Sequence, residues 1–223
     1  MSRLLAVFDL DGTLIDTHSD LVDSLNYTIA VRDLEPLTYS DLTHLVGSGA
    51  RAMIERAFAL RGSHLADGEL DAMIERFVEH YRAGMPGKSR PYPGLIAALD
   101  RLSEAGTLLA VCTNKMEGLA RPLLELLGLA DRFAAITGGD TFAVRKPDAE
   151  HLLGTIRLAG GDPSRTVMIG DSRNDFKVAE NAGTPSIAVP FGYSEVPVET
   201  LNPTVVIPHF DELTPALVER LLG

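Results

Sequence analysis

Two carboxylates, Asp9 and Asp11, stand where an apolar run, Leu4-Leu5-Ala6-Val7-Phe8, gives way to Asp9-Leu10-Asp11-Gly12-Thr13. In an extended chain the side chains at i and i+2 point the same way, so this spacing predicts that the two carboxylates approach one another. Like charges at close range call for a proton or a cation between them. Three later segments carry complementary groups: Thr113-Asn114, then Gly138-Gly139-Asp140 leading to Lys146-Pro147, and Gly170-Asp171-Ser172-Arg173-Asn174-Asp175. Singly, each has an ordinary structural use. Thr-Asn can cap a helix, Lys-Pro can start one, and Gly-Asp can make a turn. Together they supply carboxylates, a hydroxyl, an ammonium and backbone N–H groups, which is the equipment of phosphoryl transfer.

The elements that must position these groups alternate along the chain. Short apolar runs at 4–8, 108–112, 133–136, 166–169 and 186–189 read as buried strands. Helical patterns at 95–105, 117–127, 148–158 and 175–181 lie between the later ones. Such alternation predicts an α/β fold: a doubly wound parallel sheet, Rossmann-like, with right-handed crossovers. Ligands in such sheets gather at the carboxyl ends of the strands near a topological switch point, and each polar segment follows one of these runs.

Residues 16–85 break the alternation. Leu21, Leu25, Thr28 and Ile29 recur at helical spacing after Ser19-Asp20, followed by Met53, Ile54, Ala57 and Phe58. Leu70, Met73, Ile74, Phe77, Val78 and Tyr81 make the clearest apolar face. The expected organisation is a catalytic core of residues 1–15 and 86–223 with an inserted, strandless helical cap domain at 16–85. Asp16-Thr17 and the Pro/Gly-rich return around Gly87 are the expected hinges. Gly47 and Gly49 either let the cap backbone approach a small substrate or merely start a helix, with equal weight. His18 is expected to be an exposed or capping residue rather than a substrate contact, and Arg145 a solvated neighbour of Lys146.

Composition excludes several classes. The 223 residues carry 31 acidic against 20 basic side chains, a net charge of -11, which argues against nucleic acid and anionic membrane surfaces. A small anionic substrate remains compatible, since a metal ion can supply positive charge locally. No run is long and apolar enough to span a bilayer, and Met1-Ser2-Arg3 leads into the first strand without room for a leader peptide. The one cysteine, Cys112, excludes an intrachain disulfide and fits a buried core thiol in the cytoplasm. The histidines form no zinc-protease pair, no Gly-x-Ser-x-Gly elbow occurs, and no nucleotide-binding Gly loop follows the first strand.

Asp9-Leu10-Asp11-Gly12-Thr13, Thr113, Lys146-Pro147 and Gly170-Asp171-Ser172-Arg173-Asn174-Asp175 occur in an order and spacing that resembles the capped phosphatases of the haloacid dehalogenase-like superfamily. Val46-Gly47-Ser48-Gly49-Ala50, Phe191-Gly192-Tyr193 and His209-Phe210-Asp211-Glu212-Leu213 bring the likeness nearest to its phosphoglycolate phosphatases. The resemblance implies that Asp9 is a nucleophile forming an acyl phosphate and that Asp11 is the acid/base. It implies that Thr113 and Asn114 hold phosphoryl oxygens and that Lys146 offsets charge. It also implies Mg²⁺ held by Asp9, the Asp11 carbonyl and Asp171, with Asp175 supporting the metal or Lys146. The expected substrate is a small phosphorylated metabolite, 2-phosphoglycolate first, handled by a monomer or homodimer. Asp11 argues against dehalogenation. A phosphatase for another sugar phosphate or for pyrophosphate, a phosphomutase, and a receiver-like phospho-acceptor module stay open.

Overall fold

A computed structural model describes residues 3–42, 49–66 and 68–223, with the side chains of Tyr39 and Leu42 outside the description. The first strand, β1 (Leu5–Phe8), is apolar throughout and fully buried. A run of this kind survives only with neighbours on both edges and cover on both faces. Its parallel neighbours are β4 (Leu108–Cys112) and β6 (Thr166–Gly170). With β5 (Ala135–Thr137), β7 (Ser186–Ala188) and β8 (Val205–Val206) they form a six-stranded sheet in the order β5-β4-β1-β6-β7-β8. The chain leaves β1 for one side of the sheet and returns to its other side at β6. The carboxyl end of β1 is therefore the switch point, as the alternating pattern predicts.

Helices cover both faces. Leu95, Leu99 and Leu102 of α5 (Leu95–Glu104) and Leu217 and Val218 of α9 (Pro215–Leu222) pack in one cluster with Phe8, Val111 and Ile169. That cluster also takes Leu123 and Leu124 of α6 (Glu117–Leu126). Leu152 and Ile156 of α7 (Ala149–Leu158) and Val178 of α8 (Arg173–Ala182) pack with Leu5, Val7 and Cys112 in another. Alternate β1 residues thus serve opposite faces, which is the period-2 geometry of a strand. Cys112 is buried there, and burial pushes its thiol up to about 11.

Between β1 and β4 lie α1 (His18–Ile29), α2 (Tyr39–Leu42), α3 (Ala50–Leu60) and α4 (Glu69–Gly84). The apolar faces of α1, α3 and α4 meet in a separate cluster in which Leu21, Leu25 and Ile29 pack with Ile54, Phe58, Phe77 and Tyr81. Burial of one such aromatic or branched side chain is worth roughly 1.5–3 kcal/mol, so this layer has a core of its own. Leu119 of α6 joins it from below.

The chain crosses between the layers twice, through β2 (Ile15–Asp16) and β3 (Arg90–Pro91). These pair antiparallel as a two-residue ribbon, Ile15 with Pro91 and Asp16 with Arg90. Two-residue strands carry no periodicity in sequence, so Asp16 and the Pro/Gly-rich return read there as hinge and linker. Strand β5 begins at Ala135 rather than Phe133, because Ala130–Arg132 form a 3₁₀ turn and Phe133 packs its ring edge-on against Phe8.

Candidate active site

Strand β1 ends at Phe8, and the chain then turns sharply, with the Thr13, Leu14 and Ile15 amides all donating to the Leu10 carbonyl. The i, i+2 rule therefore does not extend to Asp9 and Asp11, and each carboxylate has its own lysine. Lys146 Nζ lies 2.9 Å from Asp9 Oδ1, and Lys115 Nζ lies 3.1 Å from Asp11 Oδ1. The crowding that the spacing predicts falls elsewhere. Asp9, Asp171 and Asp175 each offer a carboxylate oxygen, all within 4.8 Å of one another, and all three are buried.

Three strand ends, those of β1, β5 and β6, build this cluster and its ammonium. Asp9 Oδ1 also accepts from the Leu10 amide at 2.7 Å, leaving Oδ2 without a donor among the described residues. Lys146 stands between β5 and α7 with its ammonium buried, 2.6 Å from Asp175 Oδ1 as well. Asp175 is the third residue of α8, where its Oδ2 accepts from the Ser172 amide at 2.9 Å and hydroxyl at 2.7 Å in a capping box. Asp175 is thus committed to Lys146 and the helix start.

Asp171, just past β6, accepts from Thr13 Oγ1 on Oδ1 and from the Tyr193 amide on Oδ2, each at 2.7 Å. It is wedged between backbones. A Cβ on Gly12, at φ +83°, would lie 2.4 Å from Asp171 Oδ2, and one on Gly192 2.3 Å from it. Only glycine fits either place.

Burial, then the charge of Asp175, raises Asp9 to about 6 despite Lys146. Burial, then the charges of Asp175 and Asp9, pushes Asp171 well above the usual carboxylate range. Three carboxylates against the single Lys146 ammonium leave a deficit of two positive charges, which a hard divalent cation on oxygen ligands would fill. The Asp11 carboxylate is not in the cluster. It faces Lys115 and accepts from Thr17 Oγ1 at 2.7 Å, so its main-chain carbonyl is what it has left to offer a metal.

Thr113 and Asn114 follow β4 directly. Both are buried and line, with Asp9 and Asp11, a cavity of about 30 Å³ beneath the helical layer. Asn114 Nδ2 donates to the Lys146 carbonyl at 3.1 Å, tying these two loops together. The Lys146 amide donates to His151 Nδ1 at 3.0 Å, and burial and Lys146 hold that imidazole down at about 4, so it stays a neutral acceptor.

The helical layer supplies Leu21, Ala50, Met53 and Phe77 as cavity walls, with Gly49 beside them at φ +85°. Gly47 lies outside the described residues. Arg145 is exposed, yet among the described residues its guanidinium is the nearest side chain to the space over Gly49. His18 is buried rather than exposed, its ring 5.9 Å from that of Tyr193, because the first turn of α1 is seated on this tyrosine. The Tyr193 hydroxyl accepts from the Thr17 and His18 amides at 2.8 and 3.0 Å and donates to Asp16 Oδ1 at 2.7 Å.

Thr13 and Tyr193 stand in the quoted motifs without a role assigned to them. Lys115 is the larger omission. Its place two residues after Thr113, at the same strand end, was the available signal.

The sequence profile of the haloacid dehalogenase-like hydrolases matches residues 6–189. The chain belongs to that family. A phosphoglycolate phosphatase of Agrobacterium fabrum is 64% identical over 219 residues, covering 98% of this chain and 94% of the relative. One of Mesorhizobium japonicum is 52% identical over 222 residues, covering 100% and 98%. A crystal structure titled as that of a "predicted phosphoglycolate phosphatase" from Haemophilus somnus 129pt superposes with a TM-score of 0.89 at 27% identity, covering 96% of this chain and 97% of that one. In this family setting the site lies at the carboxyl edge of the hydrolase sheet, beneath the helices inserted after β1.

Proposed function

We propose that this haloacid dehalogenase-like hydrolase is a Mg²⁺-dependent phosphoglycolate phosphatase. The observation that carries the reading is the division of labour between two carboxylates lining one cavity. Asp9 is fixed by Lys146 and the Leu10 amide beside an acidic cluster, and Asp11 is held apart by Lys115 and Thr17. Near-full-length identity of 64% and 52% to two phosphoglycolate phosphatases supports the substrate.

Asp9 Oδ2, which has no donor among the described residues, attacks phosphorus while the ester P–O bond breaks, giving an acyl phosphate. Asp11 gives its proton to the departing glycolate oxygen. It then takes a proton from the water that attacks the phosphorus, and the bond to Asp9 breaks to release inorganic phosphate. Thr113 and Asn114 hold the transferring oxygens, and Lys146 neutralises charge on Asp9. A Mg²⁺ ion on Asp9, Asp171 and the Asp11 carbonyl would neutralise the phosphoryl group against the incoming carboxylate. Asp175 acts through Lys146 and the α8 cap.

The cavity of about 30 Å³ has room for a water or two and not for a substrate. Residues 16–85 therefore act as a cap that swings on the β2–β3 ribbon and Tyr193 to admit the ester, then closes to exclude bulk water. A cytoplasmic enzyme, monomeric or homodimeric, suits the single buried thiol.

Phosphate release from 2-phosphoglycolate, glucose 1-phosphate, pyrophosphate and 3-phosphoglycerate, with Mg²⁺ or with EDTA, tests the reading. The expected result is a kcat/KM preference for 2-phosphoglycolate that vanishes in EDTA. Even turnover of the panel would overturn the substrate, and turnover in EDTA would overturn the metal.

A further inference from the structure

Lys115 is the cation among the described residues lining the cavity, since Lys146 lies behind Asp9 and does not line it. Its side chain is 5% exposed, and the ammonium is sandwiched between the Asp11 carboxylate, at 3.1 and 3.3 Å, and the face of Tyr81, 4.2 Å from the ring centre. Tyr81 belongs to α4, so the inserted helical layer covers a charge that the core supplies. The Lys115 amide donates to Thr113 Oγ1 at 3.2 Å, which fixes the residue's backbone against a phosphate-side group. An ammonium has three N–H donors, and the two Asp11 oxygens engage at most two of them.

Asp9, Asp11, Thr113 and Asn114 bring the polar side chains of the cavity beside Lys115, and Leu21, Met53, Phe77, Met116 and Leu119 line the same cavity with side chains poor in hydrogen-bonding groups. A polyhydroxylated tail would lose its water against these five side chains without full replacement, a cost of the kind that disfavours sugars. An anionic tail a few atoms from phosphorus meets one buried cation backed by an aromatic face.

Resting on the phosphatase reading above, we propose that Lys115 is the specificity-determining residue of this enzyme. It binds a second anionic group, a carboxylate borne on a short tail, of the phosphate ester that Asp9 attacks, and Tyr81 holds it in place from the cap. Since the same ammonium holds Asp11, the tail's negative charge and the acid/base residue meet at one point. A short ester without that charge leaves Lys115 with Asp11 alone.

The test compares 2-phosphoglycolate with ethyl phosphate, which replaces the carboxylate by a methyl group, in the wild type, Lys115→Met and Lys115→Gln. Circular dichroism checks the fold of each variant, and the glutamine variant serves if the methionine one does not fold. Both esters lose rate in either variant, because Asp11 loses its partner. The expected result is that the preference for 2-phosphoglycolate falls at least 30-fold, or about 2 kcal/mol, chiefly through KM. An equal loss for both esters, with the wild-type preference intact, overturns the proposal alone and makes Lys115 a positioning residue for Asp11. A wild type without any preference for 2-phosphoglycolate overturns the substrate reading, and the proposal with it.

Discussion

Replacing Asp9 by Asn should stabilise the metal-free protein while abolishing its activity. Asp9 is buried, and without metal burial and Asp175 raise it from 3.8 to about 6. A raised carboxylate favours the folded state fully below pH 3.8, and that contribution is lost as pH rises through 6. The shift of roughly two units corresponds to about 3 kcal/mol, forfeited at pH 7 whenever the site holds no cation. Asn cannot ionise, so the variant keeps this stability. Its amide carbonyl can still accept from Leu10 and Lys146 in place of Oδ1, and Lys146 retains Asp175 at 2.6 Å.

Thermal unfolding in EDTA at pH 7 should therefore place Asp9→Asn about 6–12 °C above the wild type, at ~2–4 °C per kcal/mol for a chain of this size. Near pH 4 the two should melt together. Added Mg²⁺ should raise the wild type more than the variant and narrow the gap, because Asn is the poorer ligand. A variant no more stable than wild type at pH 7 in EDTA, or one equally favoured at pH 4, would refute the account of Asp9 as a strained, uncompensated charge.

Two further substitutions address the supports of the site. Gly192→Ala would place a methyl group 2.3 Å from Asp171 Oδ2 and displace the carboxylate held by the Tyr193 amide, so the Mg²⁺ concentration for half-maximal activity should rise about 10-fold or more, as for other supports of metal ligands; an unchanged metal titration would show that Asp171 tolerates the shift. Tyr193→Phe leaves the Thr17 and His18 amides without their common acceptor, so stability should fall by about 1–3 kcal/mol, and a melting temperature within 1 °C of wild type, by an estimate of about 2–4 °C per kcal/mol, would show that the hydroxyl does not anchor α1.

The sequence by itself determined the sheet and the edge at which the chemistry gathers. Continuous apolar runs such as Leu108–Cys112 and Thr166–Ile169 must be buried on both faces, and alternation with helical patterns permits essentially one way of winding them. Asp9, Thr113 and Asp171 follow their strands directly, and Lys146 follows β5 through the loop 138–145, so their convergence comes largely from local rules applied at each strand end. The likeness in sequence pointed to Lys146 as the partner of Asp9, and tertiary structure alone gave Asp11 its partner: the turn after Phe8 sends Asp11 to Lys115, and no periodicity survives through such a turn to foretell it. It also assigned Asp175 to Lys146, joined β2 to β3 across 73 intervening residues (17–89), and seated the first turn of α1 on Tyr193, which lies far along the chain. Each of these contacts is short in space and long in sequence, and its energy comes from burial of a polar group beside a partner that only the finished fold brings near.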